Sequence, residues 1–217
     1  MNDLSSREIE TSLKDRINLY NLLARLYRLE VDPELLEEMQ TMNLGSPEGD
    51  NLLLQGYRLM RGYLLQTSET SLVELAADYT RIFIAPDRNG AYPYESVYTS
   101  KERLLMQDAR DQVLDIYRQA GLQCSDEFNE PEDHLAFELE YMAFEAENQL
   151  VAYQNGNWQA ASEAGARQKD FLEAHLLNWV PAFASDVTRL AKTAFYSGQA
   201  QMTVGFLELD KLFLDSN

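Results

Sequence analysis

Two short stretches concentrate the residues able to do chemistry: Pro93-Tyr94-Glu95-Ser96-Val97-Tyr98 and Glu130-Pro131-Glu132-Asp133-His134. Each sets carboxylates and aromatic or imidazole rings beside a proline that fixes the backbone. Nucleophilic catalysis finds no support there. Ser96 lacks the Gly-x-Ser-x-Gly elbow, and the single cysteine, Cys124, has no local neighbour that would favour its thiolate. His134 shares a helical stripe with Glu138, Tyr141 and Glu145, which raises carboxylate-bridged metal chemistry. That chemistry needs a Glu-x-x-His pair on each of two helices and a carboxylate from each of two more. Here the spacing is Glu130-x-x-x-His134, and the other histidine stands in Glu173-Ala-His175. The ligand pattern is missing, so no metal is expected. No phosphate loop or dinucleotide fingerprint occurs, so no cofactor is expected either. Holding a partner is the chemistry left. Tyr92, Tyr94 and Tyr98 alternate around Pro93, next to Tyr79 and Phe83. Rings with a polar tip offer binding area at little entropic cost, although the same pattern also builds cores.

The elements around these stretches read as helices. Ile9, Leu13, Ile17, Tyr20, Leu23, Ala24 and Tyr27 recur at helical steps within Ser6 to Leu29. Asp32-Pro33 opens a second helix as N-cap and first-turn proline, and a third is expected from about Glu48 to Gln66. Ser71 and Glu74 form a capping box before a fourth. Ala85 to Tyr94 is a loop. A second capping box, Thr99 to Glu102, predicts a helix through Leu104 and Leu105 to a stop at Gly121. From Pro131 to about Gln154 two apolar stripes predict a central helix, followed by helical runs at Trp158 to Trp179, Pro181 to Tyr196 and Gln199 to Leu214. The expected fold is all-α, about nine helices in two parts, 1–121 and 131–217, joined by a polar hinge at 122–130.

Thirty-six acidic against 18 basic residues give a net charge of −18 in 217 residues. Nucleic acid and anionic membrane surfaces are poor partners for such a chain. Between Arg118 and Arg167 no Lys or Arg occurs, while Asp126, Glu127, Glu130, Glu132 and Asp133 open a run of acids. That run is either a solvated face or a field that attracts a basic peptide. A polar N-terminus and the lack of a long uncharged apolar stretch predict a cytoplasmic chain with no stable membrane insertion.

The two stretches, in this order and preceded by Tyr79-Thr-Arg-Ile82-Phe83 and Pro86, resemble the TorD/DmsD/NarJ family of redox-enzyme maturation chaperones, closest to its TorD/DmsD branch. Leu139 and Met142 after the second stretch, and Phe171 to Trp179, Phe183, Phe195-Tyr196 and Phe206-Leu207, extend the likeness. The resemblance implies a chaperone and not an enzyme, serving anaerobic respiration. Such a protein binds the twin-arginine leader and the catalytic subunit of a molybdenum-cofactor oxidoreductase, of the TMAO or DMSO reductase type, before export. It implies a peptide site at Tyr79, Phe83, Pro86, Tyr94, Glu95, Ser96, Tyr98, Asp133 and His134, with Glu95 and Asp133 facing the arginines. It also implies a monomer able to form a domain-swapped dimer. The residues alone leave two other readings open, a small carboxylate-bridged metal enzyme and an acidic adaptor unrelated to redox enzymes.

Overall fold

The apolar period that starts at Ile9 winds into one long helix, α1 (Asp3–Arg28), which buries Leu13, Tyr20, Leu23, Ala24 and Tyr27. The structure is a computed structural model and describes residues 3–42, 49–84, 90–123 and 128–216. Among these residues every regular element is helical: ten α-helices and two π-helical turns, with one isolated antiparallel bridge between Tyr94 and His134. The all-α expectation holds. Its short addition is α5 (Glu95–Thr99), a helix of five residues. Among the described residues no helix is long and apolar enough to cross a membrane.

The chain divides into two units, each assembled from segments distant in sequence. Met1–Arg28, Tyr94–Asn178 and Leu209–Asn217 form the first. In it α1 packs along α7 (Leu135–Gln154), which packs in turn against α8 (Trp158–Phe171). The two apolar stripes of α7 are both used: Leu135, Leu139 and Met142 are buried, and so are Phe137 and Tyr141. Gly121 and Gly156 end α6 (Asp108–Gln119) and α7 with positive φ values of 74° and 68°. The next N–H in each case reaches back to Tyr117 O (2.8 Å) and Ala152 O (2.9 Å), the Schellman closure that glycine permits. The end of the last helix, α10 (Ala194–Ser216), belongs to this unit from Leu209 on. There Asp210 Oδ2 accepts from Arg16 Nη2 at 2.9 Å and Tyr20 Oη at 2.6 Å, while Gln168 Oε1 accepts from Arg16 Nη2 at 2.6 Å. This buried charge pair ties α1, α8 and α10 together and holds Arg16 firmly protonated.

Two helix starts differ from expectation. Residues 100–107 do not continue α5, because Arg103 and Met106 take left-handed φ values of 53° and 60°. Ser100 Oγ accepts from the N–H of Leu104 at 3.1 Å and Ser96 Oγ from that of Gln107 at 3.1 Å, so side chains replace the helical ladder. The helix expected from Pro131 begins at Leu135 instead. His134 is extended and serves as its N-cap, with Nδ1 accepting from the N–H of Ala136 at 3.0 Å. The segment 122–130, expected as a hinge, runs within the first unit between α6 and α7, and residues 124–127 of it lie outside the described residues.

Leu29–Pro93 and Trp179–Glu208 form the second unit. It contains α2 (Pro33–Thr41), α3 (Leu52–Leu64), α4 (Ser71–Tyr79), a π-helical turn (Thr80–Ile84), α9 (Val180–Leu190) and the first part of α10. Asp32 caps α2 as expected, accepting from the N–H of Leu35 at 2.8 Å with Pro33 in the first turn. Buried Asp78 of α4 caps α10 from a distance, accepting from Thr193 N at 2.8 Å and Lys192 N at 3.0 Å. Helices α3 and α10 meet backbone to backbone at Gly56, Gly198 and Gly205. A Cβ on Gly198 would stand 2.6 Å from the Gly56 carbonyl oxygen.

Candidate functional site

Of the nine residues singled out in the sequence, six lie in the first unit, two in the second, and Pro86 falls outside the described residues. The six are brought together by one lock. The N–H of Glu95 donates to Asp133 O at 3.0 Å, and the N–H of Ser96 donates to Asp133 Oδ2 at 2.8 Å. A carboxylate at Asp133 thus caps the first turn of α5, and the start of α5 is pinned beside the start of α7. The bridge between Tyr94 and His134 closes the same junction, with their rings edge to face at 5.1 Å. Tyr94 Oη donates to Glu130 Oε2 at 2.6 Å, so Tyr94, Glu95 and Ser96 of the first stretch meet both ends of the second. Arg110 of α6 forks onto Glu132, with Nη2 to Oε1 at 2.9 Å, and fixes the second stretch from the other side.

Burial separates the residues that can touch a ligand from those that cannot. Glu95, Ser96, Asp133 and His134 are 2%, 0%, 0% and 4% exposed, whereas Tyr94 and Tyr98 are half-buried. Glu95 Oε2 lies 3.0 Å from His175 Nδ1, and Oε1 accepts from Asn178 Nδ2 at 2.8 Å. Asp133 Oδ1 is buried with no partner, and burial raises the pKa of this carboxyl against the lowering effect of Ser96. His134 is enclosed by Tyr94, Phe128 and Phe137, and burial, helped by the Arg28 charge, lowers its pKa to about 3. It is therefore a neutral imidazole at pH 7. The work these four do in the structure is positional: they set Tyr94 and Tyr98 in place. Tyr98 lies under the Arg103 guanidinium, 5.1 Å from the ring centre.

Tyr79 and Phe83 sit in the aromatic core of the second unit. Their rings are 5.0 Å apart, and Phe83 also meets Tyr196 at 5.9 Å and Phe183 at 6.1 Å. Phe83 is carried by the π-helical turn. Such turns are rare and recur at functional positions.

Two residues of the first unit were not singled out as site residues, His175 and Asn178. Both belong to the Glu95 network, and His175 lies on the second π-helical turn, Leu172–Leu176. His175 also lines a cleft of about 580 Å³ together with Tyr141, Phe144, Glu145, Arg167 and Phe171. The acidic run is less bare than its sequence. Arginines from outside it or at its end reach Glu132 (Arg110), Glu140 (Arg28, 3.0 Å) and Glu145 (Arg167, 2.8 Å). Glu145 is thereby committed to a guanidinium and His134 Nδ1 to a backbone N–H. Among the described residues no three of His, Cys, Asp and Glu are placed to share a metal ion.

The chain is similar to proteins of one known family. A family described as the nitrate reductase delta subunit matches residues 49–185. Chaperone protein TorD of Vibrio cholerae is 32% identical over 215 residues, 96% of each chain. Chaperone protein TorD of Shewanella piezotolerans is 30% identical over 213 residues, 93% of each chain. The crystal structure of a protein described as a redox enzyme maturation protein, from Archaeoglobus fulgidus, superposes with a TM-score of 0.50 at 20% identity, covering 92% of this chain and 93% of that one.

Proposed function

This chain belongs to the nitrate reductase delta subunit family, with the TorD chaperones among its relatives, and from that membership we infer a cytoplasmic chaperone that holds a twin-arginine leader. The leader is that of a molybdenum-cofactor oxidoreductase of the TMAO or DMSO reductase type. The chaperone keeps it, and the catalytic subunit behind it, from export while the cofactor is inserted. The protein acts by binding and not by catalysis, and needs no cofactor of its own.

The observation that supports this reading of the site is the Asp133 lock. It spends two hydrogen bonds and a buried carboxylate on fixing where Tyr94 and Tyr98 stand. Pre-positioned rings are what a reversible peptide site needs, because ordering loops on binding would consume the affinity. Covering an apolar leader side chain contributes roughly 1.5–3 kcal/mol. Two or three of these give about 3–9 kcal/mol before the entropy of ordering the peptide is subtracted, so the apolar contacts alone hold the leader more weakly than micromolar and the leader's arginines must add to them. Contacts of that strength suit a holder that must later release its client.

The test is calorimetry with a synthetic twin-arginine leader and its twin-lysine counterpart. We expect binding of the first, weaker binding of the second, and a loss on Tyr94→Ala or Tyr98→Ala with the fold retained by circular dichroism. No heat with any twin-arginine leader of a molybdoenzyme would remove the leader from the function.

A further inference from the structure

Glu95 and Asp133, the carboxylates expected to meet the leader arginines, are enclosed, with both oxygens of Glu95 and one of Asp133 engaged inside the fold, so a guanidinium must find its partner elsewhere. One such place is built into the first unit. Glu145 projects from α7 with its side chain 2% exposed, and its two oxygens accept from Arg167 Nε at 3.0 Å and Nη2 at 2.8 Å. Arg167, on α8, is 49% exposed. The carboxylate is thus fixed and desolvated, while its guanidinium stands on the solvent side. This pair is one wall of the 580 Å³ cleft, a volume in the range of sites that enclose a ligand. Tyr141, Phe144 and Phe171 supply apolar area, and Asp170 a second carboxylate. His175 stands at the same cleft on a π-helical turn and contacts Glu95 of the first sequence stretch.

We propose that this cleft takes an arginine side chain of the client leader, which displaces Arg167 from Glu145, with the aromatic wall covering the neighbouring apolar residue. The proposal rests on the leader reading above and names its arginine subsite. Arg167 is then a built-in stand-in for the ligand. It keeps the buried carboxylate paired while the cleft is empty, which a desolvated charge requires. The exchange replaces one bidentate pair by another of the same geometry, so the guanidinium fork is selected and a lysine, which cannot make both bonds in one plane, is refused. Net affinity comes from the aromatic wall and from Asp170, and the contact from His175 to Glu95 connects an occupied cleft to the Asp133 lock.

Three proteins decide it: the wild type, Arg167→Gln and Glu145→Gln, each titrated with the twin-arginine and twin-lysine leaders. Removing the internal competitor by Arg167→Gln should tighten the twin-arginine leader by about tenfold, the scale of one charge-assisted hydrogen bond. Glu145→Gln should weaken it and erase the difference between the two leaders. If Glu145→Gln does not fold, Arg167→Gln decides alone. Wild-type binding left unchanged by either folded variant overturns the cleft while the leader reading stands. If the wild type binds neither leader, the leader reading falls and takes this subsite with it.

Discussion

Asp133 and His134 are neighbours in the chain, and burial shifts them in opposite directions. The carboxyl of Asp133 is raised above its ordinary 3.8 by burial, so the folded state holds that proton more tightly than the unfolded chain. Its contribution is present at low pH and is lost as pH rises through the raised value. The imidazole of His134 falls from 6.5 to about 3. Its contribution is present above 6.5 and is lost as pH falls toward 3. His134→Asn keeps a capping acceptor for α7 but cannot titrate. We expect it to flatten the loss of stability between about pH 6.5 and 4, which at most amounts to ~1.4 kcal/mol per pH unit for one proton. Asp133→Asn removes the opposing group and should steepen the same loss. Denaturant unfolding of the three proteins across that range measures both slopes. The pair was legible in the sequence as a motif, although not as a buried one: spacing reports which residues stand together and says nothing of their access to solvent. His175 and Asn178 were not legible as site residues, because their partner Glu95 lies 80 and 83 positions away and neither carries a local signal.

Among the elements, the packing of α3 on α10 is the most exposed to a small change. Gly56, Gly198 and Gly205 let the two backbones touch, and a Cβ at Gly205 would collide with the backbone of Leu52 and Leu53. Gly205→Ala should therefore destabilise by about 1–3 kcal/mol or more, since backbone cannot give way as a side chain can. Gly62, in the same helix as Gly56, has nothing within 4 Å of where its Cβ would be. Gly62→Ala should stabilise by about 0.5–1 kcal/mol through helix propensity alone. Urea unfolding of both variants checks the contrast, and equal effects would contradict the seam. The long helices were readable because apolar residues recur with their period, as in α1 and α7. The interruption at 100–107 was not, since its capping box is genuine in composition but Ser96 and Ser100 cap Gln107 and Leu104 instead. The π-helical turns were equally hidden, being five residues each, too short for a change of period to register.

At the scale of the molecule, the segment 122–130 joins α6 to α7, and α7 packs against α1. In a swapped pair α7 of one chain would lie on α1 of the other, with the same contacts and little change in contact energy. We expect the protein to be mostly monomeric with a slowly exchanging dimer. Deleting four residues within 122–130 should drive it toward dimer, because the shortened connection cannot turn back. Size-exclusion chromatography with light scattering at several concentrations reads this directly. A single monomeric species before and after the deletion would exclude exchange at this segment.

The tie between Arg16 and Asp210 has a consequence for how the protein is made. Its two ends are 194 positions apart. At about 5–20 residues per second a ribosome needs on the order of 10 to 40 s to deliver the second after the first. Until α7 is complete at Gln154, on the order of 7 to 28 s after Arg16 at the same rate, the faces of Leu13, Tyr20, Leu23 and Tyr27 on α1 lack the helix they pack along. A nascent chain of this design can lay α7 on α1 part-way through, but the buried guanidinium of Arg16 has no Asp210 carboxylate to meet until the end of α10 arrives. Its first unit stays incomplete until that pair is made, so a protein that guards unfinished clients passes through its own synthesis as an unfinished client.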